Sequence, residues 1–191
     1  MRKKTSLPNG DGVKVKGMFR VQLVEDRNGK PVVVGDSGYM QNQVTNLGFD
    51  QYLCQTLGGM AGSKTVSHVA LGTGGAPAAS DTTLAGEIMS STQRVTVSPS
   101  TIASKTVQFT AAFNSANSFT TATANISNVG LYNSTATGAT LFAGNTYTSS
   151  ACATNQSVGQ RLRSLVGILI RKLAKFGENL FETIPSQALT F

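Results

Sequence analysis

Fifty-five consecutive residues, Thr106 to Gln160, contain no Asp, Glu, Lys, Arg or His. Composition alone would fit a low-complexity linker, but the stretch alternates. In "KTVQFTAAF" (105–113), Val107, Phe109, Ala111 and Phe113 fall on one face and Thr106, Gln108, Thr110 and Ala112 on the other. A period of two is that of a strand, whose successive side chains point to opposite sides of a sheet. Further strands are expected at about 119–126, 128–133 and 139–148. Between the first two the apolar phase moves from Ala122, Ala124 and Ile126 to Val129 and Leu131, which predicts a bulge or turn near Ser127 and Asn128.

The residues before this stretch supply the partners. Phe19, Val21 and Leu23 alternate with polar residues, "NG" at 28–29 is a strong short hairpin signal, and "PVVVG" is the return strand. "TNLGFDQYLCQTLGG" changes period: Phe49, Leu53 and Leu57 recur every four residues, Thr45 or Asn46 can cap the start, and Gly58 can end it. A helix of about three turns, packed by that face, is predicted. "SHVALGTG" (67–74) is a short buried strand running into a glycine turn. "APAASDTTLAGEI" is a loop with at most one helical turn capped by Ser80 or Asp81, and "QRVTV" (93–97) is another strand. Six or seven short strands with one helix predict a mainly β fold, an antiparallel β-sandwich.

Charge divides the chain into a neutral body and two basic ends. Residues 1–20 hold six basic residues and one acidic (net +5), residues 21–160 five and six (net −1), and residues 161–191 five and two (net +3). Only 13% of residues are charged, about half the usual share, so hydroxyls and amides must cover most of the surface. The body lacks the basic stripe with stacking aromatics that nucleic-acid modules use, so nucleic acid is not the expected partner. Residues 1–16, with Arg2, Lys3, Lys4, Lys14 and Lys16, read instead as an arm that docks on an acidic protein surface. Cys54 and Cys152 are too few for a disulfide framework or a multi-cysteine metal site within one chain. No apolar run follows the basic start and none reaches the ~18 residues of a membrane span, so synthesis in a cytoplasm is expected and a membrane is not. The sequons at Asn125, Asn133 and Asn155 then read as products of an Asn/Ser/Thr-rich composition.

At Gly159 the pattern changes again. In "QRLRSLVGILIRKLAKFGENLFETI", Leu162, Val166, Leu169, Leu173, Phe176 and Leu180 follow one another at spacings of 4, 3, 4, 3 and 4, the seam of an amphipathic helix. Arg161 and Arg163 near its start and Glu178 and Glu182 near its end oppose the macrodipole, and Gly167 and Gly177 weaken it. Such a helix needs a partner: its own domain or another chain, copies of itself, or a membrane surface. The expected organisation is therefore a basic arm at 1–16, a sandwich module at 17–158 and a helical tail at 159–191.

Chemistry finds little to use. His68 is the one histidine, and it sits between apolar strand residues with no carboxylate near it in sequence. Glu25, Asp26 and Asp36 belong to the hairpin, Asp50 to the helix, and Asp81 and Glu87 to the loop; Asp50 and Asp81 read as helix caps. "GTGG" at 72–75 lacks the third glycine of a dinucleotide loop, since Pro77 stands there, and no G-K-[ST] follows. No enzyme, cofactor or metal site is expected.

"QNQVTNLGFDQYL", "VALGTGGAPAASDTTLAGEI", "TVQFTAAF" and "ISNVGLYNSTATGATLFAG", in that order over about residues 40–158, resemble a module of tail-fibre-like and other minor virion proteins of tailed bacteriophages. The resemblance implies a β-rich module that assembles into a virion in several copies, and no catalytic residues. The family pattern would finish on another alternating strand after Val158, where the helical seam begins here. Three outcomes are open: that strand is missing, a neighbouring chain supplies it, or residues 185–191 return as a short edge strand.

The expected function is a virion structural protein, in tail, fibre or adaptor, with head decoration as an alternative. Its expected partners are other virion proteins and copies of itself, as in a trimer. Symmetry brings identical surfaces together, and neutral hydroxyls and amides avoid the repulsion that like charges would meet there. A second reading is a host-surface glycan binder working through Tyr132, Tyr147, Asn133 and Asn145 on exposed loops.

Overall fold

The computed structural model describes residues 15–88, 94–103, 106–114 and 119–164. Among these are eleven strands in two antiparallel sheets and one short helix. The first sheet is built from β1 (Met18–Arg27), β2 (Lys30–Asp36), β7 (Ser98–Ala103), β8 (Thr106–Phe113) and β11 (Ser157–Ser164), in the order β2-β1-β11-β8-β7, and β3 (Met40–Gln41) pairs with the start of β1. The second contains β4 (Gln43–Val44), β5 (His68–Gly72), β6 (Val95–Thr96), β9 (Ala124–Tyr132) and β10 (Leu141–Cys152), ordered β4-β10-β9-β5-β6.

Local chemistry accounts for the best-predicted pieces. The β1–β2 hairpin turns at Asn28 and Gly29, both at positive φ (56° and 76°), the paired left-handed conformation that suits an Asn-Gly turn. The carboxylate of Asp26 accepts from the Gly29 N–H at 2.7 Å and fixes it. Phe109 and Phe113 of β8 are buried with Val107 and Ala111 packed beside them, as the alternation requires. Pro99 falls in β7, an edge strand, the place in a sheet that tolerates a residue without an N–H donor.

One hydrophobic cluster draws on both sheets. Phe19, Val21, Phe109, Phe113 and Val158 come from the first; Val69, Leu71, Ile126, Val129, Leu131 and Phe142 from the second. The Phe19 and Tyr147 rings meet edge-on with centroids 6.2 Å apart. Alternate residues of the second sheet's central strands face the other way: Ala70, Tyr132 and Leu141 join Leu84 and Ala139 in a smaller cluster. Strand β9 is therefore covered on both faces.

The predicted irregularity near Ser127 and Asn128 is present. Both side chains, though consecutive, reach the same loop: Ser127 Oγ donates to the Gly74 carbonyl at 2.9 Å, and Asn128 Nδ2 donates to Gly75 and Ala85 carbonyls at 3.0 and 2.9 Å. Opposite them the register jumps from Thr146↔Asn128 to Ser150↔Ile126, leaving extra residues on β10.

Two expectations need correction. The helix forms where predicted, but Gly48–Cys54 has π-type hydrogen bonding, with Gln55–Leu57 (α1) closing it. A π turn takes more residues per revolution than an α turn, so the four-residue spacing of Phe49, Leu53 and Leu57 no longer tracks one buried face. The residues buried are Gly48 and Tyr52, while Phe49 and Leu57 are exposed. Thr45 is the cap: its Oγ1 accepts from the Gly48 N–H at 2.9 Å and donates to the Leu141 carbonyl at 2.6 Å. Gly48 itself packs so closely on the Phe142 carbonyl that a Cβ there would overlap it.

The second correction concerns the tail. The helix expected from residue 159 does not start there, because 159–164 continue as β11, with Leu162 opposite Phe109 on one side and Arg161 opposite Arg20 on the other. A further strand, Ser157–Ser164, thus comes from the chain itself at this point, which is none of the three expected outcomes. It is inserted between β1 and β8, where backbone ladders on both sides hold it whatever its side chains prefer. Val166, Leu169, Leu173, Phe176 and Leu180 lie outside the described residues, as do Arg2, Lys3, Lys4 and Lys14.

Candidate functional site

The densest set of ionisable and polar side chains lies on the outer face of the second sheet. Arg94 enters at the start of β6 and is almost wholly buried, its guanidinium stacked 3.8 Å over the Tyr132 ring. It donates to both Glu87 oxygens (Nε 2.8 Å, Nη2 3.1 Å) and through Nη1 to the Ser134 and Ala136 carbonyls at 3.2 and 2.7 Å. Tyr132 completes the set: its hydroxyl accepts from the Leu84 N–H at 2.6 Å and donates to Glu87 at 3.1 Å. Burial, with the Glu87 charge second, raises the Tyr132 pKa.

This arrangement fastens three segments: the loop 73–88, the β9–β10 connection 133–140 and strand β9. Four contacts occupy a guanidinium with five N–H donors, so little of Arg94 is left for a ligand. Nearby, Tyr52 donates to the Thr140 carbonyl, with Asn133 Oδ1 3.3 Å away, and Lys64 Nζ reaches Thr140 Oγ1. The helix is thereby tied to the same connection.

His68 stands beside this network. Burial first, and the Arg94 charge second, hold its pKa below the ordinary value. Ser67 Oγ is 2.7 Å from Nδ1 and donates to the Asn133 carbonyl at 2.6 Å. A hydroxyl has one proton; with that proton on Asn133, the serine accepts from Nδ1–H and is not activated by the ring. Thr96 Oγ1 lies 3.5 Å from Nε2. Among the described residues no three His, Cys, Asp or Glu side chains gather as a metal site would need, and no helix is long and apolar enough to cross a membrane.

Of the remaining carboxylates, Asp50 lies inside Gly48–Cys54 and is not the helix cap expected, while Asp36 and Asp81 have local partners. Asp36 takes a bidentate contact from Arg20, whose guanidinium also lies 5.5 Å from the Tyr39 ring. The Arg20 hydrogen bonds hold the Asp36 carboxyl below its usual range. Asp81 accepts from the Ala78 N–H at 2.8 Å, three residues before it, so it closes a turn of the loop and does not cap a helix as expected. Gly72 to Gly75 form the strand-to-loop turn, with the Gly74 N–H donating to Ala85 at 3.2 Å.

The glycan candidates do not form an exposed platform. Tyr132 is fully buried under Arg94, Tyr147 packs on Phe19, Asn133 accepts from the Thr140 N–H at 2.8 Å, and Asn145 donates to the Gln41 carbonyl at 2.7 Å. Strand pairing buries Tyr132 on β9 and Tyr147 on β10, while Asn133, in the loop after β9, and Asn145, on β10, stay half-exposed. The large apolar side chains exposed among the described residues are Phe49 (42%), Leu57 (73%) and Met60 (59%) along the helix and its exit, and Val33 and Val34 on edge strand β2. Of the basic arm, Lys16 is described and is exposed.

The Glu87–Arg94 pair was not singled out in sequence. One signal was there: Arg94 is the one cation between Lys64 and Lys105, in a stretch whose carboxylates are Asp81 and Glu87. Comparison with known proteins returns no matching family, no curated relative and no solved structure of similar fold.

Proposed function

We propose that this chain is a structural subunit of a tailed-bacteriophage particle, a tail, fibre or adaptor component assembling in several copies. In this reading the two sheets are the antiparallel β-sandwich of the module, and the subunit is made in the host cytoplasm and ends in the virion. The observation that carries it is the surface. Apolar side chains at Phe49, Leu57 and Met60, and again at Val33 and Val34, sit exposed on a body whose net charge, over residues 21–160, is −1 (five basic, six acidic). Exposed apolar patches mark contact surfaces, and two different ones suit a subunit that meets neighbours on more than one side. The basic arm and the seam from Val166 to Leu180 are further handles for neighbours in this proposal. The burial of Tyr132 and Tyr147 weighs against the glycan reading, since sugar recognition needs an accessible ring.

The test is assembly of the full chain. Light scattering on the purified protein should give a multimer, and Leu57→Lys/Met60→Glu should lower the mass without moving the thermal transition. Antibody labelling of purified particles should then decorate tails or fibres at a repeated position; label on heads would select the decoration alternative. A monomer at high concentration, indifferent to both substitutions and absent from particles, would overturn the proposal.

A further inference from the structure

The inner faces of the sheets do not close completely. A cavity of about 300 Å³ remains at one end, with Val21, Leu23, Ile126 and Val158 among its walls and Tyr147 and Cys152 presenting polar atoms. Its origin is legible in the ladders. The β1–β2 register slips between Leu23 and Val24, and the β10–β9 register slips between Thr146 and Ser150; both irregularities border the cavity. Bulges re-aim side chains and spread strands, and here one from each sheet borders the same space.

Tyr147 makes the space more than loose packing. Its ring is mostly buried and it lines the cavity, while the buried polar side-chain atoms without a partner among the described residues are Asn42 Oδ1 and Asn128 Oδ1, so the Tyr147 hydroxyl is open to the cavity and not sealed in the core. Cys152 is 1% exposed, and its one polar contact is a weak one to the Ala153 carbonyl at 3.6 Å. The polar groups at the mouth are already engaged. Asp36 accepts from Arg20, from Gln22 Nε2 at 2.9 Å and from the Gly38 N–H at 2.9 Å; Ser37 Oγ accepts from Val21 N–H at 2.9 Å and donates to the Gly38 carbonyl at 2.9 Å. No charge is left over for an ionic ligand.

We propose that this cavity binds a small, uncharged, mainly apolar molecule carrying one oxygen that hydrogen-bonds the Tyr147 hydroxyl. Aromatic alcohols and short-chain alcohols or esters have that chemistry. The volume is sufficient, since an apolar cavity of about 150 Å³ already accepts benzene. The site is independent of the assembly reading and can stand if that reading fails.

Full-length protein carrying Cys54→Ser, so that Cys152 is the single thiol, is titrated with p-cresol, with toluene as the isostere lacking oxygen and benzoate as the charged control. Methyl NMR at Ile126 and Val158 reads occupancy, and the rate of Cys152 alkylation by N-ethylmaleimide reads protection. Binding of p-cresol, tighter than toluene and with benzoate silent, slows alkylation and shifts both methyls. Tyr147→Phe keeps the fold and lowers p-cresol affinity by about fivefold, leaving toluene unchanged. The proposal is overturned if neither probe shifts the methyls or slows alkylation at millimolar concentration. It is equally overturned if benzoate binds as well as p-cresol, or if Tyr147→Phe leaves p-cresol binding intact. Should Tyr147→Phe fail to fold, the p-cresol to toluene ratio in the parent decides: equal affinities sink it.

Discussion

Replacing Arg94 with methionine tests what holds the outer face of the second sheet. The substitution keeps an unbranched apolar stem and deletes the guanidinium, whose side chain is 2% exposed against 9% for Glu87. Glu87 then keeps the Tyr132 hydroxyl at 3.1 Å but loses both arginine contacts, and the Ser134 and Ala136 carbonyls lose a donor. Removing one member of a buried pair strands the other charge, at a cost of about 3–5 kcal/mol. For a chain of this size each kcal/mol moves Tm by roughly 2–4 °C, so a fall of about 6–20 °C is expected. Urea unfolding at constant m gives the free energy directly. Glu87→Gln alone should also destabilise, and the double variant should be less destabilised than the sum of the singles by about 2 kcal/mol. Hydrogen exchange should quicken in residues 73–88 and 133–140 before it does in the β1–β2 hairpin. A loss under about 1 kcal/mol for Arg94→Met, or strict additivity in the double variant, would refute the reasoning.

Acid should weaken the fold through His68. Its folded pKa lies below the ordinary 6.5, so its share of stability is intact above that pH. It is lost as the pH falls, because the unfolded chain takes up the proton first. His68→Gln should flatten the urea midpoint between about pH 7 and pH 5, and an unchanged slope would discount the histidine. Gly48→Ala should cost about 1–3 kcal/mol by calorimetry, since the new methyl meets the Phe142 carbonyl oxygen, whereas Gly138→Ala, in open space, should be within about 0.5. Thr45→Val deletes the cap to Gly48 N–H and the bond to Leu141, and should cost about 1–2 kcal/mol in urea unfolding. Ellman's reagent on the native wild type should find one fast thiol, Cys54, because burial pushes the Cys152 pKa up to about 11; two fast thiols would contradict that burial.

Elements set by neighbouring residues were readable in the sequence. Asn28-Gly29 carries its own turn chemistry, and β8 shows its buried face in every second residue, so both stand where expected. The Ser127–Asn128 irregularity was visible as a change of phase. Features decided by distant partners were not. Phe49 and Leu57 look like a packed face under a four-residue period, and π bonding in Gly48–Cys54 moved that face to Tyr52. "RLRSL" fits both the alternation of a strand and the opening of a helical seam, and the flanking strands β1 and β8 decided it up to Ser164. Tyr132 and Tyr147 were read as exposed because nothing nearby announces the loop that covers Tyr132 or the sheet that covers Tyr147. Glu87 and Arg94 are near in sequence, but the groups that bury and bond them, Tyr132 and the Ser134 and Ala136 carbonyls, come from much further along the chain.

The position of β11 bears on how the protein is made. Its partners in the first sheet are β1 and β8, and Arg20 pairs with Arg161 across most of the chain's length. During translation the β1–β2 hairpin emerges well before β11 and must wait, one flank unsatisfied, until that strand follows β10. So long a wait makes folding slow and leaves nascent chains able to pair with one another. Truncation before Ser157 would leave both β1 and β8 unpaired along that side, so a chain cut there loses the strand that joins them into one sheet.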